Sequence, residues 1–469
     1  MVNRAPQSVG IFSGIYANYR KPLKLNQEAK MSNLSIETRA ISALKPYANN
    51  PRTHSQKQIK QIAESIKTFG WTNPILVDDD DGVIAGHGRL AAAKLLKVGD
   101  VPVIRLSNMT AAQKRAYVIA DNKLAENAGW DSEILAIEFQ GLLEMDLGFS
   151  IETIGFDTAE IDLLIADASK NNAPEDESTP TPSNAPPTSR LGDLWLLGRH
   201  RLFCGDALGA VSYEAVLGAS RANAVFTDPP YNVRIDGHVC GKGAIKHKEF
   251  AMASGEMSEA EFTAFLQRAC ENLAAFSADG SIHFICMDWR HIFELLDAGR
   301  KSYAELKNIC VWNKTNGGMG SLYRSKHEFV CVFKNGLAPH VNNVELGRFG
   351  RNRTNVWDYA GITSFGKDRL DALEAHPTVK PVGMIADAIM DVSRRDDIVL
   401  DPFCGSGSAI LAAEKTGRRA AAIELDPKYV DVTIKRFEQT SGEAVVHAES
   451  GKTFKETEIN RAYERAMTT

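Results

Sequence analysis

Thr227–Asp228–Pro229–Pro230–Tyr231 places a carboxylate, two prolines and an aromatic ring directly after the apolar run Ala222 to Phe226. The run reads as a buried strand, and the residues after Thr227 form the corner at which it stops. Two consecutive prolines fix φ and remove two backbone donors, so the carbonyls of the corner stay free to accept. Asp228 adds an anionic acceptor and Tyr231 a flat face. A planar ring bearing an amino group suits this shelf. Carbonyl and carboxylate both accept from the exocyclic NH2, leaving its nitrogen lone pair less delocalised and better placed to attack an electrophile. Taken alone, the tetrapeptide is explained equally well by a strand followed by a proline-rich turn.

A second stretch breaks the tie. Asp401–Pro402–Phe403–Cys404–Gly405–Ser406–Gly407 ends an apolar strand, Asp397 to Asp401, and opens a helix through Leu411 and Ala413. The next strand, Arg419 to Ile423, ends at Glu424, 23 residues after Asp401. This is the pattern of a nucleotide-binding βαβ unit, in which glycines let the backbone approach the ligand and the later acid takes both ribose hydroxyls. His376-Pro377-Thr378-Val379-Lys380-Pro381 and a helix from Val382 to Val392 lie ahead of it, and Glu424-Leu425-Asp426-Pro427 follows. Nearer the N-terminus, two strands, Leu194 to Leu197 and His200 to Cys204, lead into Gly205-Asp206-Ala207-Leu208.

Together these strings, over about Leu191 to Gln439, resemble the β-type amino-methylating DNA methyltransferases, with the D-P-P-Y corner first and the glycine motif last. The resemblance implies a doubly wound, Rossmann-like α/β domain that uses S-adenosylmethionine. It implies that Asp228, Pro229, Pro230 and Tyr231 hold a flipped-out base. Asp206, Thr378, Lys380, Asp401, Phe403, Gly405, Gly407 and Glu424 are the implied cofactor residues, with Asp206 on the adenine amino group or, as the ordinary alternative, capping a turn. The implied reaction is methylation of adenine N6 in double-stranded DNA, as in restriction-modification systems. Cytosine-N4 methylation uses the same chemistry and is less favoured, because that subgroup more often has Ser at the first motif position. An RNA or protein methyltransferase would keep the cofactor site without needing a basic surface. A non-enzymatic ParB-like partition protein would leave Asp228, Tyr231 and Gly405 unexplained.

DNA binding on a chain of net charge −5 requires a local basic surface. Between Lys301 and Leu370 there are eleven Lys/Arg against five Asp/Glu, interleaved with Trp312, Tyr323, Trp357 and Tyr359. This insert is the expected target-recognition region, with Lys314, Arg324, Lys326, Arg348, Arg351 and Arg353 as its phosphate contacts.

With 469 residues and 44% hydrophobic content, the chain has room for two or three cores. Residues 1–35 lack a sustained period and are expected to be a disordered extension. Residues 36–108 alternate strands (Ile41 to Leu44 first) with helices at Ser55 to Phe69 and after Gly86-His87-Gly88-Arg89. They resemble the ParB/sulfiredoxin-like domain, although His87 and Gly88 replace two residues of its G-E-R-R box. Amides at that helix start, with Arg89, could hold a phosphate. DNA docking or nucleotide sensing is the expected role. A helical appendage (109–169), a proline-rich flexible linker (170–190), the methyltransferase domain (191–440) and a C-terminal tail (441–469) complete the expected layout.

All seven cysteines follow residue 200, without a C-x-x-C pair, so reduced, buried thiols are expected rather than disulfides or zinc. His238, Cys240 and His247 read as part of a mobile loop rather than as ligands. No signal-like or membrane-spanning run occurs, and a cytoplasmic protein without a membrane partner is expected. A homodimer, and a nucleotide at the ParB-like domain, are open expectations.

Overall fold

A computed structural model describes residues 34–169, 180, 185–233, 255–315, 317, 322–347, 351–361 and 379–468. The expected N-terminal extension, most of the linker, the loop after Tyr231 with His238, Cys240 and His247, and also Arg348 and Thr378, lie outside the described residues. The chain divides into two units, 1–130 with 153–155, and 131–152 with 156–469.

The first unit contains β1 (Ile36–Ala40), α1 (Gln56–Phe69), β2 (Ile75–Val77), β3 (Val83–Ala85), α2 (His87–Leu96), β4 (Asp100–Arg105) and α3 (Ala111–Glu126). Its sheet has the order β1-β4-β2-β3. The sequence places the first strand at Ile41, but that segment is a 3-10 turn, because the residues that pair with β4 are Ile36 to Ala40. Ser55 caps α1 by accepting from the Gln58 N–H, and Gly70 at φ 76° closes it.

The second unit contains α4 (Ser132–Leu143), α5 (Thr158–Ser169), β5 (Leu194–Leu197), β6 (His200–Cys204), α6 (Ala210–Leu217), β7 (Ala222–Thr227), α7 (Glu259–Ala275), β8 (Ser277–Met287) and α8 (Ile292–Ser302). It continues with β9 (Glu305–Asn313), β10 (His327–Lys334), β11 (Val356–Asp358), α9 (Val382–Val392), β12 (Ile398–Asp401), α10 (Ser408–Lys415), β13 (Arg419–Glu424), α11 (Pro427–Ser441), β14 (Val446–His447) and α12 (Phe454–Thr468). Its ten-stranded sheet runs β11-β9-β10-β8-β7-β12-β13-β6-β5-β14. The central strands β8, β7, β12, β13 and β6 are parallel, with apolar cores on both faces. This is the expected doubly wound α/β architecture. Strand order reverses between β7 and β12, far apart in sequence but paired at Val399↔Ala224 and Leu400↔Val225.

Three expectations about boundaries are corrected. Residues 441–469 are not a tail. β14 adds an edge to β5, Phe454 and His447 pack edge-on against the buried Trp195, and Arg461 pairs with Asp193. The last linker residues are not flexible, since the Thr188 and Ser189 amides donate to the Asp431 carboxylate at 2.6 and 2.9 Å. The appendage is not one body either: α4 and α5 belong to the second unit. Asp162 of α5 is buried with the guanidinium of Arg418 at 2.7 Å and that of Arg395 at 2.9 Å. Arg418 has no solvent exposure at all, so Asp162 supplies the counter-charge its burial requires.

Candidate active site

The cleft of the second unit opens where strand order reverses, at the carboxyl ends of β7 and β12. β7 is buried until Pro229-Pro230 end it, which leaves Asp228 to Tyr231 on one wall. Asp401, Phe403, Gly405 and Glu424 line the other wall. A hydrogen bond from Thr227 Oγ1 to Asp401 Oδ1, 2.7 Å, ties the two strand ends together.

On the glycine side, Glu424 is held as a fixed acceptor. Its Oε2 accepts from the Gly405 N–H at 2.8 Å and its Oε1 from the Asp426 N–H at 2.9 Å. Each oxygen keeps lone-pair capacity for a further donor. Burial pushes this carboxyl up to about 7 against the two amides, which pull it down. Asp401 accepts from Thr227 and from the Phe403 N–H, and its burial likewise pushes it up to about 7. Gly405 and Gly407 both have positive φ. A Cβ on Gly407 would sit 2.7 Å from the Thr433 methyl, so this glycine accommodates α11 rather than a ligand. Asp206 is exposed and accepts from the Leu208 N–H at 2.8 Å, as a turn-capping residue does; Ala207 is its neighbour that lines the cleft.

On the other wall, Tyr231 Oη donates to Asp228, and Lys380 Nζ lies 2.5 Å from Asp228 Oδ2. Lys380 therefore faces the D-P-P-Y corner rather than the glycine motif to which the sequence assigned it. Its ammonium also lies 3.2 Å from Glu328 of β10, which is ion-paired with Lys314 as well. In the sequence Glu328 is only one acid within a basic stretch. Its one visible signal was a lone carboxylate in the strand His327 to Lys334, whose other residues are mostly apolar. Burial pushes Asp228 upward; Lys380 opposes this and Glu328 reinforces it. Lys380 and Lys314 overcome burial at Glu328 and hold its carboxyl down at about 2.

Few of the residues assigned to DNA are free to meet it. Arg351 is buried, donating to Asp391 at 2.7 and 2.9 Å and to the Asp387 carbonyl at 2.9 Å. Arg353 spans the same two carboxylates of α9 and the Tyr359 hydroxyl. Both guanidiniums neutralise acids that burial would otherwise leave unpaired, which corrects their assignment as phosphate contacts. Lys314 is engaged by Glu328. Arg324 and Lys326 are exposed, with an Arg324 N–H on the Gly317 carbonyl at 2.5 Å. Trp312 and Trp357 are core residues, while Tyr323 is exposed.

In the first unit, Arg52, His54, Gly86, His87, Arg89 and Asp121 are among the residues lining a polar cleft at the start of α2. Arg89 Nη1 donates to the Asn73 and Pro74 carbonyls at 2.7 and 2.9 Å, which fixes the side chain along the cleft. His87 Nε2 accepts from the Tyr47 N–H at 3.2 Å.

A family model described as DNA methylase matches residues 222–435, which include both walls of the cleft. A ParB N-terminal domain matches residues 25–123 and a ParB-methyltransferase HTH domain residues 133–191. The "ParB-like nuclease domain-containing protein YnaK" of Escherichia coli (strain K12) is 55% identical over 82 residues, which cover 18% of this chain and 94% of that protein. "Type II methyltransferase M.HinfI" of Haemophilus influenzae is 25% identical over 50% of this chain and 67% of its own length. "Type II methyltransferase M2.MboI" of Moraxella bovis is 23% identical over 46% and 80%. The chain belongs to the N6/N4 amino-methylating DNA methylases that carry an N-terminal ParB-like domain. Among the described residues, no helix is long and apolar enough to cross a membrane, and no cluster of metal-ligating side chains occurs.

Proposed function

We propose that this chain transfers a methyl group from S-adenosylmethionine to the N6 of an adenine flipped out of double-stranded DNA. The observation that carries the reading is the meeting of Asp228 and Glu424 in one cleft, although they lie 196 positions apart in sequence. S-adenosylmethionine, when bound, supplies an electrophilic methyl group on a sulfonium. Glu424, oriented by two backbone amides, takes the ribose hydroxyls. Phe403 and the backbone around Gly405 bound the same wall. Asp228 and the corner's carbonyls accept from the target amino group and aim its lone pair, while Tyr231 offers its ring face. Catalysis then rests mainly on proximity and orientation. Asp at the first motif position favours adenine over cytosine. Arg324 and Lys326, both exposed, are the residues we assign to following phosphates, and the first unit adds a DNA-docking or nucleotide-sensing module.

In a host expressing the chain, methylation-sensitive sequencing is expected to show N6-methyladenine at one recurrent sequence. N4-methylcytosine in its place would move the target while keeping the mechanism.

Glu424→Ala is expected to weaken S-adenosylmethionine binding by roughly 1–3 kcal/mol in calorimetry, the scale of hydrogen bonds to a charged acceptor. The pH dependence follows from its raised carboxyl. Ribose hydroxyls donate to the ionised form, so binding releases a proton below about 7. Affinity should therefore rise with pH up to about 7 and level off above it. Glu424→Gln should shrink that step, leaving the part due to Asp401. An unchanged affinity and pH profile would place the ribose elsewhere.

A further inference from the structure

Lys380 has two carboxylate partners with unequal duties. Asp228 lies on the corner that, in the function proposed above, must receive the target amino group. Glu328 lies on β10, buried, and gathers Lys314, Lys380 at 3.2 Å and the Tyr231 hydroxyl, also at 3.2 Å. An ammonium buried as deeply as that of Lys380 cannot be left unpaired without a large desolvation cost. With Asp228 as its sole partner, a carboxylate engaged by substrate would strand the lysine.

We propose that Glu328 is a positioning residue: it is the standing counter-ion that keeps Lys380 paired and in place while Asp228 exchanges its lysine contact for the target amino group and then for a proton. The nitrogen lone pair forms the N–C bond to the methyl carbon, and the C–S bond breaks with its electrons left on sulfur. The nitrogen, now cationic, gives one proton to Asp228. Lys380 remains paired with Glu328, and Asp228 returns the proton to water after product leaves. Lys314 balances the second negative charge, so the two carboxylates and two ammoniums sum to zero before substrate enters. This inference rests on the proposed methyl transfer.

Besides Lys380, Glu328 and Tyr231, the titratable groups that act on Asp228 from neighbouring elements include Asp401 of β12 and Cys286 of β8. Because Glu328 raises the Asp228 carboxyl and Lys314 lies on Glu328, removing either charge moves the pH at which Asp228 becomes an acceptor, in opposite directions.

The test is single-turnover methylation by the full chain on saturating duplex DNA, followed over pH, with calorimetric S-adenosylmethionine affinity as the check on the fold. Glu328→Gln is expected to keep cofactor affinity and to slow the rate about tenfold to a hundredfold, the cost of misplaced reacting groups. Its acidic limb should move down by roughly one pH unit. Lys314→Met, at a site whose side chain is 28% exposed, should move the limb upward, and supplies the reading if Glu328→Gln does not fold. Lys380→Met combined with Glu328→Gln should be little slower than Lys380→Met alone. A slower Glu328→Gln enzyme with an unmoved limb, a limb unmoved in Lys314→Met, or full additivity with Lys380→Met would overturn the counter-ion role. Absence of methylation by the wild-type chain on any DNA would instead sink the proposed function itself.

Discussion

Asp228→Ala is expected to lower single-turnover methyl transfer by at least about a thousandfold while leaving S-adenosylmethionine affinity within roughly twofold, because the lost acceptor orients the nucleophile and does not touch the cofactor wall. The structure sharpens the reason. Thr227 and Asp401 join the two walls through a bond that Asp228 does not share, so the glycine side keeps its geometry when the carboxylate goes. Lys380 would retain Glu328, which limits the damage to the fold. Near-normal turnover in this variant, measured with the cofactor saturating, would remove Asp228 from the reaction.

The second large effect concerns where the catalytic unit begins. The proline-rich composition of residues 170–190 suggests that a fragment starting near Ser189 would fold and work alone. The packing argues otherwise. That fragment lacks α5, hence Asp162, and severs the Thr188 amide from Asp431. We expect a fragment from Asp131 onward to bind cofactor and methylate the same DNA sequence with weaker, more salt-sensitive DNA binding. The Ser189 fragment should melt well below it. Asp162→Ala in the full chain isolates the cause. Arg418 would stay buried, and Arg395 half-buried, without their carboxylate, at a cost of about 3–5 kcal/mol out of a total stability of order 5–15. Equal melting temperatures for the two fragments, or an Asp162→Ala loss below about 1 kcal/mol, would show that α5 is a passive attachment.

Much of this candidate site is legible in the sequence, because local strings carry it. Asp228-Pro229-Pro230-Tyr231 and the Gly405–Gly407 turn each end a strand, and strand ends are marked by residue type. Glu424 followed from spacing. What could not be read depended on strands that pair across long intervals. Glu328 matters because β10 runs beside β8, with Lys314 and Lys380 arriving from 14 and 52 residues away. Nothing in the string His327 to Lys334 announces that convergence. The count of basic residues between Lys301 and Leu370 misled for a related reason. Arg351 and Arg353 look like free cations until α9 brings Asp387 and Asp391 against them. Charge balance over a window measures composition, whereas availability for phosphate depends on partners outside the window. The C-terminal residues read as a tail because β14 has two residues and gains its meaning from β5.

In the proposed reaction one cleft brings a methyl donor and an exocyclic amino group of DNA together. Purified full-length protein, S-adenosylmethionine bearing a deuterated methyl group and unmodified duplex DNA should yield, after digestion to nucleosides and mass spectrometry, the label in N6-methyladenine. The same reaction with Asp228→Ala should yield none. Label on a ring carbon, in RNA, or in protein, or label in DNA that persists in the Asp228→Ala reaction, would contradict the account.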